Sequence, residues 1–250
     1  SCLRSMAPSS VLVTGGTRGI GLGFVRHFLN LKDVRHVLAT ARDPDSATVL
    51  FLNLVLRLHV VKMDVQSDES ILQAAKEVAK ILGNEGLTLL INNSGVFETV
   101  EIDSPPDRKK ILNCLDVNVA GPIVVSQVFL PLLRKASSAH SSLPVGIDRA
   151  AIVNISSGAG SISDNGRGGM VVYRASKSAL NSLSKTFALH TIEDDILTVA
   201  ILPGYVVTRM TDGKGELTVE QSVGLMTKAL ESFGREQNGG FFGKDGKPFP

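Results

Sequence analysis

The 250-residue sequence predicts an α/β fold, a doubly wound and mostly parallel sheet with helices on both faces. Three observations carry this. Strand-like apolar runs alternate with helical patterns along the whole chain. The first run, Val11 to Val13, feeds directly into a glycine turn, Thr14-Gly15-Gly16-Thr17-Arg18-Gly19-Ile20-Gly21, that a helix follows. The apolar fraction, 43 %, is that of a globular protein, and with Trp absent the core is aliphatic.

The elements follow in order. Gly19 to Leu31 is helical because Ile20, Phe24, Phe28 and Leu31 recur on one face. Val34 to Thr40 and Leu58 to Val65 read as the second and third strands. Ser67 is an N-cap for a helix through Leu82, and Leu87 to Asn92 is the fourth strand. Pro105 to Lys135 reads as one long helix bent at Pro122, and Ser137 to Asp148 as a Ser-rich loop. Ala150 to Ser156 is the fifth strand, Val171 to His190 a helix, Leu197 to Leu202 the sixth strand, and Thr218 to Phe233 a helix. The segment Gly239 to Gly243 holds a last short strand. The apolar run Val49 to Val61 reads as a short buried helix entering the third strand; its rival is an exposed face for a partner. One catalytic domain is expected over 10–250, with 1–9 a disordered tail.

Bulk properties exclude several classes. The net charge is +2, and Lys and Arg are scattered, which argues against a nucleic-acid partner. Cys2 and Cys114 can build no disulfide framework and sit in no metal-ligand spacing, which suits a reducing compartment. No run reaches the roughly 18 apolar residues of a membrane span, and the start lacks a signal-peptide core. A cytoplasmic protein without a metal is the expectation. A serine hydrolase is disfavoured because no G-x-S-x-G elbow occurs.

The chemistry gathers in four places. Tyr173 and Lys177 lie four residues apart on a helical segment, so they share a face. There an ammonium can lower the tyrosine pKa from about 10 and make the phenol a proton donor near neutral pH. Ser156-Ser157 ends the fifth strand. The glycine turn lets backbone approach a phosphate at a helix N-terminus, although its G-x3-G-x-G spacing differs from the G-x-G-x-x-G fingerprint. After the second strand, where an acid would bind an NAD ribose, the chain has Arg42, with Arg18 inside the turn. Two guanidinium groups suit a 2′-phosphate, and hence NADP(H).

In this order, Thr14-Gly15-x3-Gly19-x-Gly21, Asp64-Val65, Asn92-Asn93-Ser94-Gly95, Asn118, Ser157, Tyr173-x3-Lys177 and Pro203-Gly204 resemble the motifs of the short-chain dehydrogenase/reductase family. The Tyr-Arg-Ala-Ser-Lys-Ser-Ala-Leu run and the ending Gly240-Phe241-Phe242-x-x-Asp245-Gly246-Lys247-Pro248 are similar to NADPH-dependent carbonyl reductases of the sniffer and C-factor type.

The resemblance implies a single-domain Rossmann fold of about seven strands in the order 3-2-1-4-5-6-7. It implies a catalytic set of Asn118, Ser157, Tyr173 and Lys177, and reduction of ketones, aldehydes or quinones by NADPH. Gly15, Thr17, Arg18, Gly19, Ile20, Gly21 and Arg42 would hold phosphates. Asp64 and Val65 would hold adenine, and Asn92, Ser94 and Gly95 would line the ribose, with Ser94 where the family usually has Ala. Tyr173 and Lys177 would also touch the nicotinamide ribose, with Pro203, Gly204, Val206 and Thr208 around the nicotinamide and phosphates. Phe97 and Tyr205 are candidates for an aromatic substrate wall. A short connection from Thr208 to Thr218 suggests an open pocket. Dimers or tetramers through the long helices are the family habit, and monomers occur among carbonyl reductases. The rival function is an NADP(H)-binding redox sensor with little turnover.

Overall fold

A computed structural model of the chain describes residues 7–44 and 56–250. Seven parallel strands form one sheet in the order β3-β2-β1-β4-β5-β6-β7. The strands are β1 (Ser10–Val13), β2 (His36–Ala41), β3 (Leu58–Lys62), β4 (Leu89–Asn92), β5 (Ala151–Ile155), β6 (Leu197–Ile201) and β7 (Phe241–Phe242). Among the described residues the α-helices are α1 (Gly19–Asn30), α2 (Asp68–Leu82), α3 (Arg108–Leu115), α4 (Gly121–Ala139), α5 (Val171–His190) and α6 (Val219–Glu231).

The central strands are buried on both faces, as continuous apolar runs such as Leu197-Thr198-Val199-Ala200-Ile201 require. On one face Val11, Val37 and Ile91 pack against Phe24 and Phe28 of α1 and Val223, Met226 and Leu230 of α6. On the other, Leu12, Leu38, Leu90 and Ile152 pack against Ile71 and Val78 of α2 and Val125, Phe129 and Leu133 of α4. Alternation along each strand divides its residues between the two cores.

The local signals place the ends of several elements. Ser67 caps α2 by accepting the Ser70 N–H at 3.2 Å, with Asp68 and Glu69 in the first turn. Thr218 and Gln221 form a reciprocal capping box at α6.

The expected single helix from Pro105 to Lys135 is different. Helical structure starts at Arg108, capped by Asp107, and widens into a π turn over Asp116–Ala120 before α4. Gly121 N–H bonds the Asp116 carbonyl, five residues back. Pro122 has no N–H to return to the carbonyl of Asn118 in α-helical register, so the bend expected at Pro122 is taken up by the wider turn before it. The helical path Arg108–Ala139 is long and apolar enough to cross a membrane by length and composition. Its Val125, Phe129 and Leu133 face is nonetheless filled by the protein core.

Within the expected tail 1–9, residues 1–6 lie outside the described residues, and the Ser9 carbonyl accepts N–H bonds from Arg35 and His36. Of the run Val49 to Val61, residues 49–55 lie outside the described residues; Leu56 is exposed, and Leu58 to Val61 belong to β3, with Val61 fully buried.

Candidate active site

The strand order reverses between β1 and β4, which opens a crevice at the strands' carboxyl ends. The glycine turn lies at one side. Gly15 and Gly19 have φ of +64° and +52°, the left-handed region that a side chain resists. A Cβ on Gly21 would stand 2.2 Å from the Gly15 carbonyl oxygen, so the turn can close only with glycine there. Helix α1 begins without a side-chain cap and without an acid in its first turn, leaving its first N–H groups for an anion. Thr208, from the loop after β6, reaches this turn: its methyl would meet a Cβ on Gly19 at 3.8 Å. Arg18 and Arg42 are both exposed at this end of the sheet.

The turn is stapled to β4 by two residues that had been given no role of their own. Asn93 Nδ2 donates to the carbonyls of Thr14 at 2.9 Å and Gly15 at 3.3 Å. The Thr14 hydroxyl accepts N–H bonds from Asn93 and Ser94, both at 2.9 Å. An Asn directly after a buried strand, pointing to the opposite face from its neighbour, is the signal that would have found this staple.

That same alternation turns the Asn92 side chain the other way. Its side chain is buried and donates to Ser126 Oγ at 3.0 Å and Asn154 Oδ1 at 2.8 Å. The side chain is committed to the core between β4, β5 and α4 and gives nothing to the crevice. Ser94 and Gly95 do border it. A Cβ on Gly95 would meet Asn118 Oδ1 at 3.4 Å and Lys177 Nζ at 3.8 Å, so this glycine brings the loop close to both groups. Asp64 acts locally, where its Oδ1 accepts the Gln66 N–H at 3.1 Å in a turn at the end of β3. Val65 packs against Gly121, where a Cβ would be 3.1 Å from the Val65 carbonyl oxygen.

Tyr173, Lys177, Asn118 and Ser157 converge beside Gly95. Helix α5 starts after Gly168, Gly169 and Met170, all with positive φ, which turn the chain sharply into the helix carrying Tyr173. Tyr173 and Lys177 are buried on its inner face. Burial pushes the Tyr173 phenol above its ordinary pKa, and a hydrogen bond with the Ser157 side chain opposes that shift. Burial also lowers Lys177 from 10.5 to about 8.

The expected ammonium–phenol pairing takes a different form. Lys177 Nζ donates to the Ile155 carbonyl at 2.8 Å and lies 5.8 Å from the Tyr173 ring centre. Ser157, at the end of β5, faces Tyr173, whereas the buried Ser156 donates to Asn181 Oδ1 at 2.6 Å. Of the two adjacent serines, the structure brings Ser157 to the tyrosine.

Asn118 is fully buried inside the π turn. Its amide matches the backbone of Val96 from both sides: Oδ1 accepts the Val96 N–H and Nδ2 donates to the Val96 carbonyl, each at 2.9 Å. Nδ2 also donates to Ser176 Oγ at 3.0 Å, and Ser176 donates to the Tyr173 carbonyl at 2.8 Å. A helix asparagine, read alone, would face solvent; here it ties the loop after β4 to the helix of the tyrosine. Phe97 packs edge-on to the Tyr173 ring at 4.9 Å between centres. Tyr205 is half exposed in the loop after β6, while Val206 is buried. That loop is closed on itself by Val207 N–H to Leu217 and Glu216 N–H to Tyr205. Pro203 accepts the Ser222 hydroxyl at 2.7 Å, which fixes the start of the loop to α6, and Gly204 turns at φ +80°. Among the described residues no His, Cys, Asp and Glu cluster could hold a metal ion.

Comparison with known proteins agrees with this geometry. Residues 9–217 match the family model of the short chain dehydrogenases. An uncharacterized oxidoreductase of Schizosaccharomyces pombe is 32 % identical, covering 95 % of this chain and 96 % of its own. The structure of the carbonyl reductase Sniffer of D. melanogaster superposes with a TM-score of 0.92 at 35 % identity, covering 97 % of this chain and 99 % of that one. An NADPH-bound carbonyl reductase from chicken fatty liver superposes at 0.89 with 38 % identity, covering 97 % and 98 %. With the sheet order, the glycine turn and the buried Tyr173–Lys177 pair already in place, these likenesses settle the family: the chain is an oxidoreductase of the short-chain dehydrogenase/reductase family.

Proposed function

We propose that the protein is an NADPH-dependent carbonyl reductase acting on ketones, aldehydes or quinones. The observation that carries the reading is the convergence of Ser157, Tyr173, Lys177 and Asn118 at the carboxyl ends of β4 and β5, beside a glycine cradle. Bound there, NADPH supplies the hydride that adds to the carbonyl carbon.

The protein's own residues do the rest. The uncapped N-terminus of α1 and the close backbone of Gly15, Thr17, Gly19, Ile20 and Gly21 receive the diphosphate, and Arg18 and Arg42 the 2′-phosphate. Asp64 and Val65 border adenine, Ser94 and Gly95 the ribose, and Pro203, Gly204, Val206 and Thr208 the nicotinamide side. Tyr173 gives its phenolic proton to the substrate oxygen as negative charge builds there. Ser157, which faces Tyr173, donates to the same oxygen, a contribution worth about 3 kcal/mol of barrier in comparable sites. Lys177 holds positive charge under the Tyr173 ring and stabilises the phenolate left behind. Asn118 fixes the loop of Gly95 and Val96 against α5, which keeps these groups in register.

Leu112, Leu115, Val119, Ile123 and Ala179 present an apolar face on α3, the π turn, α4 and α5, where a second copy of the chain would pack. Size-exclusion chromatography with light scattering checks this.

The test of the reductase reading is loss of 340 nm absorbance with NADPH, and separately NADH, over quinones, diketones and aldehydes. Turnover that prefers NADPH and falls at least a thousandfold in Tyr173→Phe is expected. NADPH binding without turnover on any of these classes would sink the reading and favour a sensor.

A further inference from the structure

We propose that Phe249 is a positioning residue that holds the Ser157 turn in place, which rests on the role given to Ser157 above. The segment after β7, Gly243-Lys244-Asp245-Gly246-Lys247-Pro248-Phe249, is built as a hairpin. Gly246 N–H bonds the Gly243 carbonyl at 2.9 Å and Gly243 N–H bonds the Lys247 carbonyl at 2.8 Å. Gly246 takes φ +79°, the left-handed position that such a three-residue loop reserves for glycine. The Asp245 carboxylate accepts the Lys247 N–H at 3.3 Å and pairs with its exposed ammonium at 3.2 Å. Pro248 then lies antiparallel to Phe242, and Phe249 N–H bonds the Phe241 carbonyl at 2.9 Å.

This return strand delivers a ring to the site. Phe249 stands edge-on to Phe241, with 5.3 Å between ring centres. Its far edge faces Gly158 and bounds the space beside it: a Cβ built there would lie 3.6 Å from Phe249 Cζ and 3.9 Å from Cε1, ordinary contact distance. Gly158 follows Ser157 and opens the short turn Gly158–Gly160. In that turn Ala159 N–H bonds Ser157 Oγ at 3.1 Å, and Gly160 N–H bonds the Ser157 carbonyl at 2.8 Å. The other end of the hairpin touches the loop after β6, where the Lys244 stem would meet a Cβ on Gly204 at 3.0 Å. The hairpin therefore clasps the turns after β5 and β6 together.

The need for such a clasp is physical. Gly160 is already held, since its carbonyl accepts from Ser178 Oγ at 2.9 Å and Asn181 Nδ2 at 3.3 Å, but Gly158 leaves the start of the Ser157 turn the backbone freedom of glycine. A hydroxyl displaced by about 1 Å from its productive position can cost a hundredfold in rate. A ring packed on Gly158 restricts that freedom without touching the reacting atoms.

The experiment is Phe249→Ala in the full chain, read in two ways. Amide hydrogen exchange at Ala159 and Gly160 is expected to accelerate about tenfold or more, with β5 unchanged. The kcat on a ketone is expected to fall about fivefold or more, with KM for NADPH within about twofold. Phe249→Leu should recover most of both and carries the comparison if the alanine variant unfolds. In a Ser157→Ala background, Phe249→Ala should add no further loss of kcat, since it acts through Ser157. Unchanged exchange at Ala159 and Gly160, or a full additional loss in that background, would overturn the proposal while the parent's turnover upholds the reductase reading. A parent without turnover overturns the reductase reading, and accelerated exchange then still upholds the contact's hold on the turn.

Discussion

Lys177 reaches past Tyr173. Its ammonium lies 5.8 Å from the centre of the tyrosine ring and is held by the carbonyl of Ile155, 2.8 Å away. The charge is thus stored beneath the phenol in a buried site, anchored by β5. Such a group costs stability for the sake of chemistry, and that cost is measurable.

Burial lowers Lys177 from 10.5 to about 8. Below pH 8 folded and unfolded chains both hold the proton, and the folded chain bears the full cost of a buried ammonium. Between pH 8 and 10.5 the unfolded chain binds more protons than the folded one, so this group makes stability rise with pH across that window. Lys177→Met should therefore stabilise the cofactor-free protein at pH 7 by about 2 kcal/mol, the relieved burial exceeding the lost hydrogen bond to Ile155. The gain should shrink as pH approaches 10, while turnover is lost. Urea unfolding at pH 7 and pH 9.5 checks this, and a variant less stable at pH 7 would contradict it.

Asn118 satisfies both the N–H and the C=O of Val96. Asn118→Ala leaves these two groups without partners and should cost about 2–3 kcal/mol. It should also lower kcat, because the loop of Gly95 is released from α5. Asn118→Asp should restore neither, since a carboxylate cannot donate to the Val96 carbonyl and would be buried. Denaturant midpoints and steady-state rates read the two effects separately.

Asn92 should behave in the opposite way. Its side chain bonds Ser126 and Asn154 in the core, away from the crevice. Asn92→Ala should destabilise by about 1–3 kcal/mol and leave the Kd for NADPH within about twofold. A loss of cofactor affinity well beyond the loss of stability would give the Asn92 side chain a part in cofactor binding.

Arg42 follows β2 directly and is exposed. Arg42→Asp replaces a phosphate-binding group with one that suits a free ribose hydroxyl. The kcat/KM with NADPH should fall about tenfold or more, and that with NADH should rise. Equal values before and after would make Arg42 an ordinary surface residue.

The sequence by itself determined the local elements and the groups that share them. Apolar periodicity separated strands from helices, and Ser67 and Thr218 marked helix starts that the structure keeps. The spacing of Tyr173 and Lys177 sufficed to put both on the buried face of α5, because four residues make one turn of a helix. The glycines of the first turn were legible for the same reason: the constraint, a Gly21 pressed on the Gly15 carbonyl, acts between residues six apart.

Only the tertiary structure decided where polar side chains spend their hydrogen bonds. Asn92 and Asn93 are alike in composition, yet strand alternation sends one into the core and the other to the glycine turn. The motif marked Asn118, but its partner Val96, 22 positions away, came within bonding distance only in the fold. Lys177 found Ile155, Ser157 found Tyr173, and Phe249 found Gly158 in the same manner. Those partners are set by how strands are ordered in the sheet, and a buried polar group must take whichever partner that order brings to it.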